Sequence, residues 1–198
     1  MGIYNYKYII WDFDGVILNS DAVRELGFVE ALKDFPEKQV ALLLKYHRSN
    51  GGLSRYNKFR YFYEEILGLE VTEEQVNELA HNFSQIMLQK LTDKKLLIQD
   101  SVQFIEKNSL DKVMFIASGS DHNELNFLCK ELAIAEHFFS INGSPTHKND
   151  IVKRILSEYS DVSKEEFVLV GDSRNDFEAA DINGIAFLVY NKISLKTK

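Results

Sequence analysis

Two hydrophobic patterns alternate along this chain. Short unbroken apolar runs, Tyr8-Ile9-Ile10-Trp11, Val113-Met114-Phe115-Ile116-Ala117 and Phe167-Val168-Leu169-Val170, have the length and composition of strands buried on both faces. Shorter runs at Phe138–Ile141 and Ile185–Tyr190 predict two more strands. Between them the apolar spacing widens to that of helices, at 101–108, through Leu125, Phe127, Leu128 and Leu132, from Lys148 through Leu156, and from Asp176 to Ile182. Strand–helix alternation of this kind predicts an α/β fold, a Rossmann-like parallel sheet covered by helices on both faces.

One segment breaks the alternation. From about Asp21 to Lys90 the pattern is helical throughout, without a good strand. Leu26, Val29, Ala31 and Leu32 mark a first helix, with Ser20 or Asp21 as its N-cap. Val40, Leu43 and Leu44 mark a second, with Pro36 near its start. A loop from His47 to Arg55, broken by Gly51 and Gly52, separates these from a helix carrying Phe59, Phe62, Tyr63, Ile66 and Leu67 and ending near Gly68. Thr72-Glu73-Glu74-Gln75 has the form of a capping box, and a fourth helix follows through Met87. The organisation expected is an α/β core of residues 1–17 and 91–198 carrying a helical insertion of residues 18–90. The polar tail from Lys192 to Lys198 is expected to fray.

The chemistry-bearing residues stand where strands end. The first strand runs into Asp12 and Asp14, the second into Ser118 and Gly119, and the fourth into Gly171-Asp172-Ser173-Arg174-Asn175-Asp176. Parallel strands bring their carboxyl ends to one edge, where ligands bind in open α/β sheets. Lys148, at a helix start after the third strand, is placed to reach the same edge. Clustered acids repel one another and lose hydration, a cost that a cation offsets. Oxygen ligands in excess of local positive charge suit Mg²⁺, which commonly partners phosphate. The Ser118 hydroxyl, loop amides and Lys148 form a plausible phosphate cradle. Aspartate is a known nucleophile toward phosphorus, and a second acid two residues on is placed for proton transfer.

Composition narrows the alternatives. The chain has 198 residues, 45% of them hydrophobic and 27% charged, which suits a folded domain carrying an insertion rather than a disordered chain. Its formal net charge of -7 argues against general nucleic-acid binding and requires any anion site to rest on locally placed cations. The single cysteine, Cys129, excludes an internal disulfide framework and reads as a buried helix residue. No apolar run is long enough for a membrane span, and Met1–Lys7 has no signal-peptide pattern, so a cytoplasmic protein is expected, a monomer or weak dimer. Trp11 and the aromatics at 59 and 61–63 read as core or its boundary, His147 as a surface residue, and Asn175 as shaping its loop.

Asp12-Phe13-Asp14-Gly15-Val16, Ser118 after its strand, Lys148, and Gly171 to Asp176 resemble, in order, the four motifs of the haloacid dehalogenase superfamily. The helical insertion after the first motif resembles that family's cap, and the likeness covers nearly the whole chain. It implies Asp12 as nucleophile and Mg²⁺ ligand, and Asp14 as acid/base with its backbone carbonyl on the metal. It implies Asp172 as a metal ligand and Asp176 as a ligand or holder of the metal's waters. Ser118, the Gly119 amide and Lys148 would bind the phosphoryl group. The presence of Asp14 speaks against dehalogenation, since expelling a halide needs no proton donor.

The implied activity is phosphatase action on a small phosphate monoester, such as a sugar phosphate or a phosphoglycolate-like acid. The cap loop is its expected specificity element, with His47, Arg48, Arg55 and Lys58 as candidate substrate contacts. Its Gly52-Leu53-Ser54-Arg55 run is similar to a loop of β-phosphoglucomutases in which arginine binds a second phosphate, which keeps a phosphomutase open as the alternative. A non-catalytic receiver-like domain also combines acids, a hydroxyl and a lysine on a parallel sheet, but the helical insertion and the acid pair of the last motif argue against it.

Overall fold

The computed structural model describes residues 2–190 and residue 195. Five parallel strands, β1 (Tyr8–Trp11), β2 (Val113–Asp121), β3 (Ser140–Ser144), β4 (Phe167–Gly171) and β5 (Ala186–Val189), form one sheet in the order β3-β2-β1-β4-β5. The strand order reverses beside β1, the central strand. The topological switch point therefore falls at the carboxyl end of β1.

The strand residues are apolar without alternation because both faces are covered. Ile9, Trp11, Met114, Ile116, Val168 and Val170 face one layer, in which Phe104 of α5 (Gln99–Asn108) and Leu125, Leu128 and Cys129 of α6 (His122–Glu131) are buried. Ile10, Phe115, Ala117, Phe167 and Leu169 face the other, built from α7 (Lys148–Glu158) and α8 (Arg174–Asn183). The fold is thus a Rossmann-like α/β sandwich.

Between β1 and β2 the chain forms α1 (Asp21–Ala31), α2 (Glu37–Ser49), α3 (Arg55–Tyr61) and α4 (Glu73–Lys90), with one π-helical turn over Phe62–Leu67 after α3. Thr72 and Gln75 make the expected capping box on α4. Phe28, Phe59 and Phe83 meet ring to ring, with centroids 4.5 Å apart for Phe28 and Phe83 and 5.5 Å for Phe28 and Phe59. Phe13, Val16, Ile17 and Leu18, at the exit of β1, join this helical core to the sheet core in one continuous buried apolar cluster.

Several expectations need correction. Leu26 and Val29 point outward, Leu26 with 61% of its surface exposed, and the buried face of α1 carries Arg24, Gly27 and Phe28 instead. The charge of Arg24 is matched from inside, so this face is not read from hydrophobicity. Phe127 and Ile182 are likewise exposed. Ser20 precedes α1 but makes no capping hydrogen bond, because its hydroxyl is turned to Asp14. The loop expected from His47 to Arg55 is shorter: α2 continues through Ser49 and α3 starts at Arg55. β2 continues past Ala117, with a shift of register against β3 before Asp121 pairs Ser144. The third strand begins at Ser140 rather than Phe138 and takes in Asn142–Ser144, expected as loop. Of the tail expected to fray, Leu195 is buried against the core, and the rest lies outside the described residues.

Candidate active site

The apolar run of β1 ends at Asp12, which is buried at the sheet's carboxyl edge and whose backbone N donates to the Val170 carbonyl of β4 at 2.9 Å. Lys148, the first residue of α7, crosses beneath it. Its Nζ donates to Asp12 Oδ1 at 2.8 Å and to Asp176 Oδ1, and all three side chains are buried. Asp176 sits in the first turn of α8. Its Oδ2 accepts from the Ser173 N at 2.9 Å, the Ser173 hydroxyl at 2.7 Å and the Asp172 N at 3.2 Å, so Asp176 closes the loop that holds Asp172. Carboxylate oxygens of Asp12, Asp172 and Asp176 lie within 4.8 Å of one another.

This crowding sets the electrostatics. Burial and the Asp176 charge push the Asp12 carboxyl well above its ordinary value, against the pull of Lys148. Burial and Asp176 raise Asp172 to about 6. Burial works against the Lys148 charge, but Asp12 and Asp176 outweigh it and hold the ammonium above its ordinary value. Three carboxylates with one ammonium between two of them form a hard oxygen set with unmet negative charge, which fits a divalent cation.

Asp14 has a different environment. Its Oδ1 accepts from Arg24 Nε at 2.6 Å and from the Ser20 hydroxyl, and its Oδ2 from the Ser120 hydroxyl at 2.6 Å. Burial would raise its pKa, but Arg24 and the two hydroxyls overcome that and hold it below its ordinary value. Arg24 also reaches Ser120 Oγ at 2.7 Å and Glu124 Oε1 at 3.1 Å. Glu124, buried on α6, takes two further bonds from Arg55, at 2.6 and 2.8 Å, and Arg55 adds one to Ser84 at 2.6 Å. The result is a chain of alternating charge, Asp14–Arg24–Glu124–Arg55, buried from Arg24 onward.

Asp12, Asp14, Ser118, Gly119 and Asp172 share a cleft of about 680 Å³ with His47, Arg48, Arg55 and Lys58. Lys148 and Asp176 back Asp12 rather than line this space. Gly119 lies directly under the loop between α2 and α3, where a Cβ would overlap the Gly52 carbonyl oxygen. That same oxygen accepts from Asn175 Nδ2 at 3.0 Å, so Asn175 reaches the insertion besides shaping its own loop. Tyr56 adds a bond from α3 to Asp121 at 2.8 Å. Among the candidate contacts of the insertion, Arg48 stands at the rim with both ends of its guanidinium on Glu25, at 2.7 and 2.6 Å. Arg55 is engaged by Glu124. Lys58 is buried and donates to His47 Nδ1 at 2.8 Å. His147 is exposed, as expected of it.

Arg24, Ser20, Ser120 and Glu124 were not anticipated. Their one trace in the sequence is register: Arg24 stands four residues before Phe28, and Glu124 four before Leu128, each a charge on the apolar face of its helix.

Comparison with known proteins agrees with this architecture. Among solved structures, a phosphoglycolate phosphatase, so described as predicted, from Haemophilus somnus 129pt superposes with a TM-score of 0.70 at 18% identity, over 94% of this chain and 85% of that one. CbbY from Rhodobacter sphaeroides, in complex with phosphate, gives 0.70 at 17% identity, over 92% and 84%. The HAD-hydrolase YfnB from Bacillus subtilis, bound to magnesium, gives 0.67 at 14% identity, over 92% and 87%. No curated protein matches the chain. A family model described as haloacid dehalogenase-like hydrolase matches residues 9–190, from within β1 to just beyond β5. That span takes in every strand end from which the site is built, and the chain belongs to the haloacid dehalogenase-like hydrolases.

Proposed function

We propose that this hydrolase is a Mg²⁺-dependent phosphatase that acts on a small phosphorylated metabolite through an aspartyl-phosphate on Asp12. The observation that carries the reading is the convergence of Asp12, Lys148, Asp172 and Asp176 on one strand edge, with Asp14 and Ser118 in the same cleft. Asp12, Asp172 and Asp176, with the Asp14 carbonyl, are the residues that would hold the cation. When bound, it would offset the negative charge of the phosphoryl oxygens.

In the first half-reaction a carboxylate oxygen of Asp12 attacks phosphorus and the ester P–O bond breaks. This half needs Asp14 protonated, so that it can give its proton to the departing alkoxide, and the ion pair with Arg24 works against that form. In the second half Asp14 takes a proton from water, the water oxygen attacks phosphorus, and the bond to Asp12 breaks to release orthophosphate. Lys148 holds Asp12 by one oxygen and neutralises charge beside it, while Ser118 and the Gly119 amide bind the phosphoryl group. The ion pair with Arg24 favours the ionised form of Asp14, the form that the second half needs. Residues 18–90 act as a cap whose loop at Gly52 lies over Gly119, an arrangement that suits a small metabolite and excludes a macromolecule. The phosphate in CbbY and the magnesium in YfnB support the same chemistry on the same fold.

The phosphomutase alternative rests on an arginine free to take a second phosphate. Arg55 is instead bound at both ends to Glu124 and to Ser84, so the likeness does not carry that role over to it. No helix among the described residues is long and apolar enough to cross a membrane, which is compatible with a cytoplasmic enzyme.

The test is phosphate release from a panel of phosphate monoesters with Mg²⁺. Turnover is expected in the wild type and is expected to vanish in EDTA and in Asp12→Asn. Turnover that survives in Asp12→Asn would remove Asp12 as the nucleophile.

A further inference from the structure

The cations lining the cleft are not equivalent. Arg24 is paired with Asp14 and Glu124, Arg55 with Glu124, Arg48 with Glu25, and Arg174 with Glu178. Lys58 alone, among the described residues, is a cleft-lining lysine or arginine with no carboxylate in ion-pair range. It is also buried, with 4% of its surface exposed. Its hydrogen bond runs to His47 Nδ1, a neutral acceptor, since burial and the nearby Lys58 charge push His47 down to about 4. A buried ammonium with no carboxylate in contact is costly, and the cost falls when an anion is brought to it. Burial, then the Arg24 charge, lowers the Lys58 amine to about 7, and the more distant Asp14 and Asp21 carboxylates only partly oppose them.

We infer that Lys58 is the anchor for a second anionic group of the substrate, so that the substrate is a phosphate monoester bearing a carboxylate or another phosphate at its far end. The inference rests on the phosphatase reading for the phosphate end and deepens it. The geometry selects Lys58 over Arg55, the residue that sequence likeness favours. Glu124 already supplies the bidentate carboxylate that an arginine fork binds best, and it lies in the wall where a substrate cannot replace it without leaving its charge buried. Lys58 offers a point charge with donors to spare and a cleft in front of it. At about 680 Å³ the cleft has room for a small ester reaching from Asp12 to the insertion. His47 serves as a positioning residue, accepting one ammonium proton and so aiming the others.

The test is equilibrium binding to the full chain with Mg²⁺, by calorimetry, of three phosphonates that cannot be hydrolysed. They are propylphosphonate, 3-phosphonopropionate and propane-1,3-bisphosphonate. In the wild type one or both doubly anionic ligands should bind about 10–100-fold more tightly than propylphosphonate, the range of one charge-assisted hydrogen bond. The larger advantage identifies the second anion as carboxylate or phosphate. In Lys58→Met the ratio should fall to near one, and in Lys58→Arg it should persist. A wild type without preference overturns the inference, as does a Lys58→Met variant that keeps the preference. So does a Lys58→Arg variant that loses it while still binding propylphosphonate. The phosphatase reading fails separately: an ester panel with no turnover removes it, while the binding ratios still decide the role of Lys58.

Discussion

Glu124 is the residue on which the two arginines of the site depend. It balances Arg24 and Arg55 at once, and all three side chains are buried. Removing one partner of a buried ion pair leaves a charge unmatched, at a cost of about 3–5 kcal/mol. Glu124→Ala is therefore expected to lower stability by roughly that amount in denaturant unfolding, and a loss under about 1 kcal/mol would show that water replaces the carboxylate. The same residue marks where the sequence stops being readable. Asp12, Asp14, Ser118, Lys148, Asp172 and Asp176 stand at strand ends or helix starts, positions that the apolar pattern defines. Arg24 and Glu124 lie inside helices, Arg24 on a face of α1 that the apolar pattern does not mark, and their meaning comes from each other across a hundred residues of chain.

Among the elements, the strands and helices were legible and their ends were not. Ser118-Gly119-Ser120-Asp121 has the composition of a turn, yet the chain stays extended there and pairs with β3 again at Asp121. An irregularity of this kind re-aims side chains beside active sites, and here Ser120 reaches Asp14 while Gly119 passes under the loop between α2 and α3. Ser20 had the composition of a helix cap, but a half-buried carboxylate competes better for its hydroxyl than a helix amide does. The close approach at Gly119 has a direct consequence. Gly119→Ala should lift the Gly52 loop and lower kcat/KM on phosphate monoesters by at least about tenfold, equivalent to about 1.4 kcal/mol. Its melting temperature should stay close to wild type, because the clash is relieved by moving a surface loop. Unchanged kcat/KM would mean that the loop takes no part in closing the site.

At the scale of the molecule, the acid cluster links stability to pH and to cations. The carboxyls of Asp12 and Asp172 titrate above their ordinary values, Asp172 at about 6. As pH rises from about 4 through this range, the folded chain retains protons that the unfolded chain has released. These two carboxyls therefore contribute a fall in stability with rising pH in this window, and His47, lowered to about 4, contributes a rise over the same range. A divalent cation held by the cluster would replace those protons. Mg²⁺ should raise the melting temperature by a few degrees at pH 7–8, and the gain should fade as the acids protonate below about pH 5. A pH-independent shift, or none, would place cation binding elsewhere or exclude it.

The insertion and the sheet share one buried apolar cluster, joined through Phe13, Val16, Ile17 and Leu18. Two bodies with separate cores can melt one at a time, whereas a shared core ties each to the other's water-excluded surface. In this chain the helices of the insertion share their buried core with the sheet. A substitution at Phe28 or Phe83, chosen to reshape what the enzyme accepts, draws on the same cooperative unit that keeps Asp12 at its strand end. On the proposed reading, variation in specificity and variation in foldability would be coupled, and new substrates would be reached at lower cost through the exposed rim around Arg48 than through the aromatic interior.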